Sequence, residues 1–238
     1  MKLDFLKSRS FIQEDMDNFA LQGEALETTI SSLSAINKYL GNSNIILQVV
    51  KPMILASAVP LRIVDLGCGG ADILLEIAKY AASVGKKVDL IGVDGNPNIV
   101  DLAKRNSHAF PNLNFITADI LHPDFELADC DILMSTHFMY HFTDRELIDF
   151  LQKQRTKIHR YIIFSELQRS LVSYCGFQVI GFLFRFSKLI IADGLKAIKR
   201  SFRRQELIDI FEQAGVGKHS IQWKWAFRYL VKVDMTEP

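Results

Sequence analysis

Cysteine is scarce in this 238-residue chain: Cys68, Cys130 and Cys175 only. Three is too few, and too odd a number, for a disulfide framework, and no CxxC pair offers a thiolate metal site. The cysteines read as reduced thiols, which points to a cytoplasmic location. An excess of charge of either sign is also lacking: 28 Lys and Arg face 27 Asp and Glu. A basic field spread over the whole surface is therefore excluded, and nucleic acid is not an expected partner. The N-terminal stretch MKLDFLKSRSFIQEDMDNF is charged throughout and has no apolar core, so no secretory leader is expected. The longest uncharged apolar stretch, residues 170–184, falls short of the ~20 residues a bilayer span needs; a buried or lid helix is expected instead. Internal repeats and low-complexity linkers are absent. What remains is 49% hydrophobic and 23% charged, enough to bury a full core.

Two segments near the N-terminus read as helices. In residues 24–40, Leu26, Ile30, Leu33 and Ile36 recur at helical spacing before Gly41. Residues 44–58 are apolar, with Pro52 expected to kink or restart the helix. The texture then alternates. Strands are expected at 61–66, 88–93, 114–117, 131–134 and 161–164. Helices are expected at 71–83, 97–109 and 143–157, the second with Asn96 as N-cap and Pro97 at its first position. Strands and helices in this rhythm predict βαβ units and a parallel sheet covered on both faces. Beyond that, residues 171–191 read as one long apolar helical region. Leu207, Ile210, Phe211 and Ala214 mark a further helix face, stopped by Gly215. Residues 220–225 and 227–233 read as an antiparallel strand pair at one sheet edge.

The strongest local signal is Ile63-Val64-Asp65-Leu66-Gly67-Cys68-Gly69-Gly70-Ala71-Asp72. A strand runs into glycines, which let backbone turn sharply and approach a ligand closely, and a helix N-terminus follows. Asp94 ends the second strand in Val93-Asp94-Gly95-Asn96-Pro97, where an acid accepts both hydroxyls of a ribose. Asp119, in Thr117-Ala118-Asp119-Ile120, lies just past the third strand, suited to an adenine amino group with Ile120 against the ring. Ligands of open α/β sheets sit outside the carboxyl ends of the strands, and these features fall there in order.

With these motifs the chain resembles the class I S-adenosylmethionine-dependent methyltransferases over about residues 61–233. DLGCGGAD resembles the family's first motif, which implies that Asp65, Gly67 and Gly69 cradle the methionyl part of the cofactor. VDGNP resembles the second, making Asp94, with Gly95, the ribose ligand, and TADIL the adenine motif with Asp119 and Ile120. DILMSTHFMYHF resembles the fourth-strand motif, placing Ser135 and Phe138 near the reactive methyl group. The resemblance implies an α/β fold: a Rossmann-like, seven-stranded, mostly parallel sheet with helices on both faces, a C-terminal antiparallel edge hairpin and an N-terminal helical cap. The expected division is a cap at 1–58 and a methyltransferase domain at 59–238 carrying an apolar lid-like insert at 170–200. A NAD-dependent dehydrogenase fits worse, because Asp72 stands where its fingerprint needs a third glycine.

Segments EDMDNF, INKYLGN, FSELQRS, ADGLKAIKRSF and WAFR are similar to those of small-molecule methyltransferases of bacterial polyketide, pigment and quinone pathways, several of which act on phenolic hydroxyls. That implies S-adenosyl-L-methionine as cofactor, S-adenosyl-L-homocysteine as product, and O-methylation of a small aromatic or polyketide-like acceptor. C- or N-methylation, and cofactor binding without catalysis, stay open, and the sequence sets no oligomeric state. A general base would come from His137 or His141 after the fourth strand, or from Glu166 after the fifth, where it could also pair with Arg169. Tyr174 with the aromatics of the insert, and Met16 with Phe19, are the expected walls of the acceptor pocket, Phe138 and Arg169 further contacts, and Asp193, Arg200 and Phe202 its rim. The basic run from Lys196 to Arg204 reads as a solvated face.

Overall fold

The computed structural model describes residues 3–15 and 23–236. Helices α1 (Gly23–Tyr39) and α2 (Asn42–Ala56) precede an alternating body. That body runs β1 (Leu61–Leu66), α3 (Asp72–Ser83), β2 (Val88–Asp94), α4 (Pro97–Asn106), β3 (Leu113–Thr117), β4 (Cys130–Thr136), α5 (Asp144–Gln154) and β5 (Ile158–Leu167). Then come α6 (Leu171–Leu183), α7 (Lys188–Arg200), α8 (Arg204–Ala214), β6 (Lys218–Lys224) and β7 (Arg228–Asp234).

The local chemistry explains these bounds. Asn96 caps α4 by accepting from the Asn98 N–H at 3.0 Å, with Pro97 at the first helical position. Thr143 and Glu146 form a reciprocal capping box on α5. Gly215 ends α8 in the left-handed conformation. Pro52 sits inside α2, and the helix runs on to Ala56 without a restart. The apolar run expected as one helical region is two helices. A Schellman turn closes α6: the Phe186 N–H donates to the Gly181 carbonyl at 2.9 Å and the Arg185 N–H to Phe182, with Arg185 at φ 53°. Ser187 then caps α7. Arginine, rather than glycine, holds the left-handed position, so the break carries little sequence signal.

The seven strands order as β3-β2-β1-β4-β5-β7-β6. Strands β1 to β5 pair in parallel, and β7 pairs antiparallel with both β5 and β6. Residues alternate between two cores. Leu61, Ile63, Leu90, Ile132, Met134 and Ile163 pack under α2 and α3. Val64, Leu66, Leu133, Ile162, Phe164 and Val231 pack under α5 and α8. Helix α2 thus covers the sheet like the helices that follow it. The strand order reverses at β1, flanked by β2 and β4, and a crevice is expected outside the carboxyl ends there.

Arg169 serves this body rather than a ligand. Its guanidinium is buried and donates to the Leu6 and Ser201 carbonyls and to both Glu206 oxygens, tying residues 3–6 and α8 to the end of β5. Glu206 is partly solvated, so removing the guanidinium costs the donors to the Leu6 and Ser201 carbonyls and to Glu206 rather than leaving a buried charge. Arg169→Met is expected to lower stability by about 2 kcal/mol in chemical denaturation; a loss below about 0.5 kcal/mol, the range of neutral surface changes, would contradict this role.

Candidate active site

Strand β1 delivers the chain into the glycine turn. The Gly67 and Cys68 N–H groups both donate to the Val93 carbonyl, at 2.8 and 3.1 Å, pinning the turn to β2. Gly67 has φ 69°, and a Cβ there would lie 2.3 Å from Phe138 Cγ, so both conformation and space demand glycine. The Gly69 N–H donates to Asp94 Oδ2 at 3.1 Å, and Asp94 Oδ1 accepts from the Asn96 N–H at 3.0 Å. One carboxylate therefore locks the glycine turn to the loop that opens α4. Burial raises the Asp94 pKa, opposed by these two hydrogen bonds and by His141. Asp65 lies under the turn. Burial, with the neighbouring Asp94, pushes its pKa well above the usual carboxylate range.

Two cavities border this turn, and a third shares lining residues with both. The first, about 610 Å³, runs along Gly67, Asp94, Gly95, Asp119, Ile120 and Phe138. The second, about 130 Å³, lies between the glycine turn and the start of α2, against Asp65, Gly69, Asn42 and Thr136. The third, about 280 Å³, is largely apolar, walled by Phe177 and Ile180 of α6 and Ile190 and Ala197 of α7. His137 and His141 line both the first and the third, and Thr136 both the second and the third. The 136–141 segment is thus the common wall.

That wall is held from behind. Glu166 is completely buried, and its Oε1 accepts from the Phe138 and Met139 N–H groups at 3.3 and 3.1 Å. Burial pushes its pKa up to about 8 despite these hydrogen bonds. Arg9 grips the same segment from the N-terminal side, donating to the Tyr140 and Phe142 carbonyls at 3.0 and 2.7 Å and pairing with Asp144. His137 itself sits at φ 52°, its N–H donating to the Ser165 carbonyl at 2.9 Å. Arg228 Nε donates to His137 Nε2 at 3.0 Å. Burial, then the Arg228 charge, drive the His137 pKa well below its ordinary value. A guanidinium has only donors, so this imidazole is neutral with its proton on Nδ1.

Of the residues expected at a site, the fold brings together Asp65, Gly67, Gly69, Asp94, Gly95, Asp119, Ile120, Phe138, His137 and His141. Phe138 lies on the first cavity rather than the apolar one. Asp119 Oδ1 accepts from the Leu121 N–H at 2.9 Å, and its side chain is exposed at the cavity. Others stand elsewhere. Ser135 is buried and donates to the Leu66 carbonyl at 3.0 Å, stitching β4 to β1. Glu166 lies within β5 and lines none of the three cavities. Arg169 is structural, and Tyr174 packs edge-on to Phe5, 5.2 Å between centroids. Of the expected rim, Asp193 lines the apolar cavity, Arg200 the first, and Phe202 is buried. Met16 and Phe19 lie outside the described residues. Asn42, Thr136 and Arg228 fall within the segments INKYLGN, DILMSTHFMYHF and WAFR, but sequence reading gave none of them a role of its own. Arg228 had a faint signal, an arginine opening a strand whose next three residues, Tyr229, Leu230 and Val231, are uncharged.

Asn42 Nδ2, Asp65 Oδ1 and Thr136 Oγ1 are buried without hydrogen-bond partners among the described residues, and all three residues line the second cavity. A donor, a carboxylate oxygen and a hydroxyl converging there suit a ligand end that carries both an ammonium and a carboxylate.

The family model for a methyltransferase domain matches residues 63–158. No curated protein sequence matches the chain. Solved structures share its fold. An O-methyltransferase family protein from Burkholderia thailandensis superposes with TM-score 0.67 at 14% identity, over 98% of this chain and 67% of that one. The plantazolicin methyltransferase with bound SAH gives 0.66 at 14% identity, over 90% and 92%. The citrinin polyketide synthase CMeT domain gives 0.56 at 12% identity, over 75% of this chain; the match spans about half, 47%, of that longer one. Residues 63–158 are therefore a methyltransferase domain.

The Glu166 carboxyl generates a pH dependence with a definite sign. Its pKa is raised from 4.5 to about 8 in the fold, so the folded chain keeps a proton that the unfolded chain releases. Stability from this group is therefore lost as pH rises through that window. Asp65 and Asp94, also raised, act in the same sense. Urea midpoints taken at about pH 5 and about pH 8 are expected to fall with pH, and to fall less steeply in Glu166→Gln. An unchanged slope in that variant would contradict the assignment.

Proposed function

We propose that this chain, a class I S-adenosylmethionine-dependent methyltransferase by its fold and its methyltransferase domain, methylates a small acceptor with an apolar body at a hydroxyl oxygen. One observation carries the acceptor reading: the apolar cavity abuts the cavity of the glycine turn across His137 and His141.

In this reading the 610 Å³ cavity takes the adenosyl part of the cofactor. The Asp94 carboxylate accepts from the ribose hydroxyls, Asp119 accepts from the adenine amino group, and Ile120 packs on the ring. The 130 Å³ cavity takes the methionyl end. Its ammonium meets Asp65 Oδ1, while its carboxylate meets the glycine turn, the N-terminus of α3 and the amide of Asn42. When bound, S-adenosylmethionine supplies a methyl carbon that is already electrophilic.

The chain's own residues then have three tasks. The first is positioning. Glu166 and Arg9 fix the 136–141 wall, and so the line between the two cavities. The second is exclusion of water, for which α6 and α7 supply Phe177, Ile180, Ile190 and Ala197. The third is proton movement. His137 is a poor base, because its Nε2 lone pair is engaged by Arg228; it presents an Nδ1–H donor instead. His141, which lines both cavities, is the imidazole assigned to take the acceptor's proton.

Incubation with deuteriomethyl-labelled S-adenosylmethionine and a panel of phenols and quinols, read by mass spectrometry, tests this. The expected product carries the label on oxygen, and His141→Gln is expected to lower kcat about 100-fold while sparing S-adenosylhomocysteine affinity. Label on carbon or nitrogen would overturn the hydroxyl assignment, and full activity of the variant would overturn the base.

A further inference from the structure

The apolar cavity holds a charge that the protein does not neutralise. Arg228 opens β7, and its side chain is 2% exposed. Its Nε donates to His137, and its Nη1 donates to the Leu40 and Ala226 carbonyls at 3.2 and 3.4 Å. Among the described residues no carboxylate pairs with it and Nη2 donates to nothing. The acids lining the same cavity are engaged with other cations. Glu14 pairs with Arg200 at 3.2 Å; Asp193 pairs with Lys196 at 3.0 Å and accepts the Asp15 N–H at 2.9 Å. Burial lowers the Arg228 pKa to about 10, which leaves it cationic at neutral pH. A buried cation without a counter-charge is costly, and a structure that keeps one at a cavity wall is built to receive an anion.

We propose that Arg228 and His137 form an oxyanion-binding pair, and that the acceptor is an acidic hydroxyl compound, a phenol or enol on an apolar body, held as its anion. The inference rests on the methyltransferase reading above and specifies its acceptor. Arg228 Nη2 and the His137 Nδ1–H supply the donors, the second fixed by the hydrogen bond that Arg228 makes to Nε2. The acceptor's hydroxyl proton goes to His141. The oxygen then forms its bond to the methyl carbon as the carbon–sulfur bond breaks, and that electron pair stays on sulfur, leaving a neutral thioether and a methyl ether. The positive charge of the sulfonium and the negative charge of the oxygen cancel in the step, so neither product carries charge at the new bond.

Equilibrium binding tests this in the full chain, saturated with S-adenosylhomocysteine. The probes are 4-nitrophenol, whose visible absorbance reports its ionised form, 4-nitrobenzoate, and the neutral 4-nitrotoluene. The expected result is that 4-nitrophenol binds at least about tenfold tighter than 4-nitrotoluene, with its spectrum shifted to the phenolate. It should also outbind 4-nitrobenzoate, which separates a phenolate from a carboxylate as the source of charge. Arg228→Met is expected to abolish the preference and the spectral shift with unchanged S-adenosylhomocysteine affinity, and Arg228→Lys to retain part of the preference. Equal binding of 4-nitrophenol and 4-nitrotoluene by the unaltered protein, no binding of 4-nitrophenol, or a better 4-nitrobenzoate would overturn the proposal, whatever the variants do. Failure of S-adenosylhomocysteine itself to bind would instead overturn the methyltransferase reading beneath it.

Discussion

A carboxylate oxygen without a partner, Asp65 Oδ1, is buried where the strand order reverses, and the rest of the site is arranged around it. Leaving such a group unpaired costs about 1–3 kcal/mol, and Asn42 Nδ2 and Thr136 Oγ1 add to that cost beside it. The cost persists only because the surrounding elements cannot collapse onto the gap. Behind it, β1 pairs with β2 along its length and with β4 from Ile63 to Leu66, and Gly67 and Cys68 are fixed to Val93. Above it, Asn42 is held by the Ser165 hydroxyl, which donates to its Oδ1 at 3.0 Å. The neighbouring Asp94 also disfavours charge on Asp65. In the proposed function, a cationic ligand end would relieve both.

The same logic places the three cavities in sequence. The polar ends of the strands line the cavities that the proposal gives to the cofactor, and the helices inserted after β5 supply an apolar wall beyond them. Between the two stands the 136–141 segment, clamped by the buried Glu166 from within the sheet and by Arg9 from outside it. Rigid support on both sides suits the proposed role of this wall, holding an acceptor atom in line with a methyl carbon, where small displacements are expensive.

Much of this was legible in the sequence, for identifiable reasons. The bounds of β1 and the start of α4 follow from apolar runs ending in residues with strong local chemistry: the glycines at 67 and 69, and Asn96 with Pro97. Asp94 and Asp119 were legible because a strand end has a fixed spatial meaning in a parallel sheet. The direction of a side chain was not. Glu166 and Ser135 also stand near strand ends, yet β5 extends to Leu167 and pairs with β7, so Glu166 points into the body, while Ser135 spends its hydroxyl on Leu66. Arg169 and Arg228 show the limit most clearly. Both are single arginines near an element boundary; among the described residues one meets Glu206 and the other meets no acid, a difference set by residues far apart in the chain. The break between α6 and α7 was hidden because a left-handed turn usually signalled by glycine is made by Arg185.

The central claim is that the unpaired Asp65 oxygen awaits an ammonium at the methionyl end of the cofactor. Isothermal titration of the protein with S-adenosylhomocysteine, and with its analogue lacking the α-amino group, tests it most directly. Saturable binding of the first is expected, and at least about tenfold weaker binding of the second, the scale of one charge-assisted hydrogen bond. Equal affinities, or no heat with either compound, would contradict it.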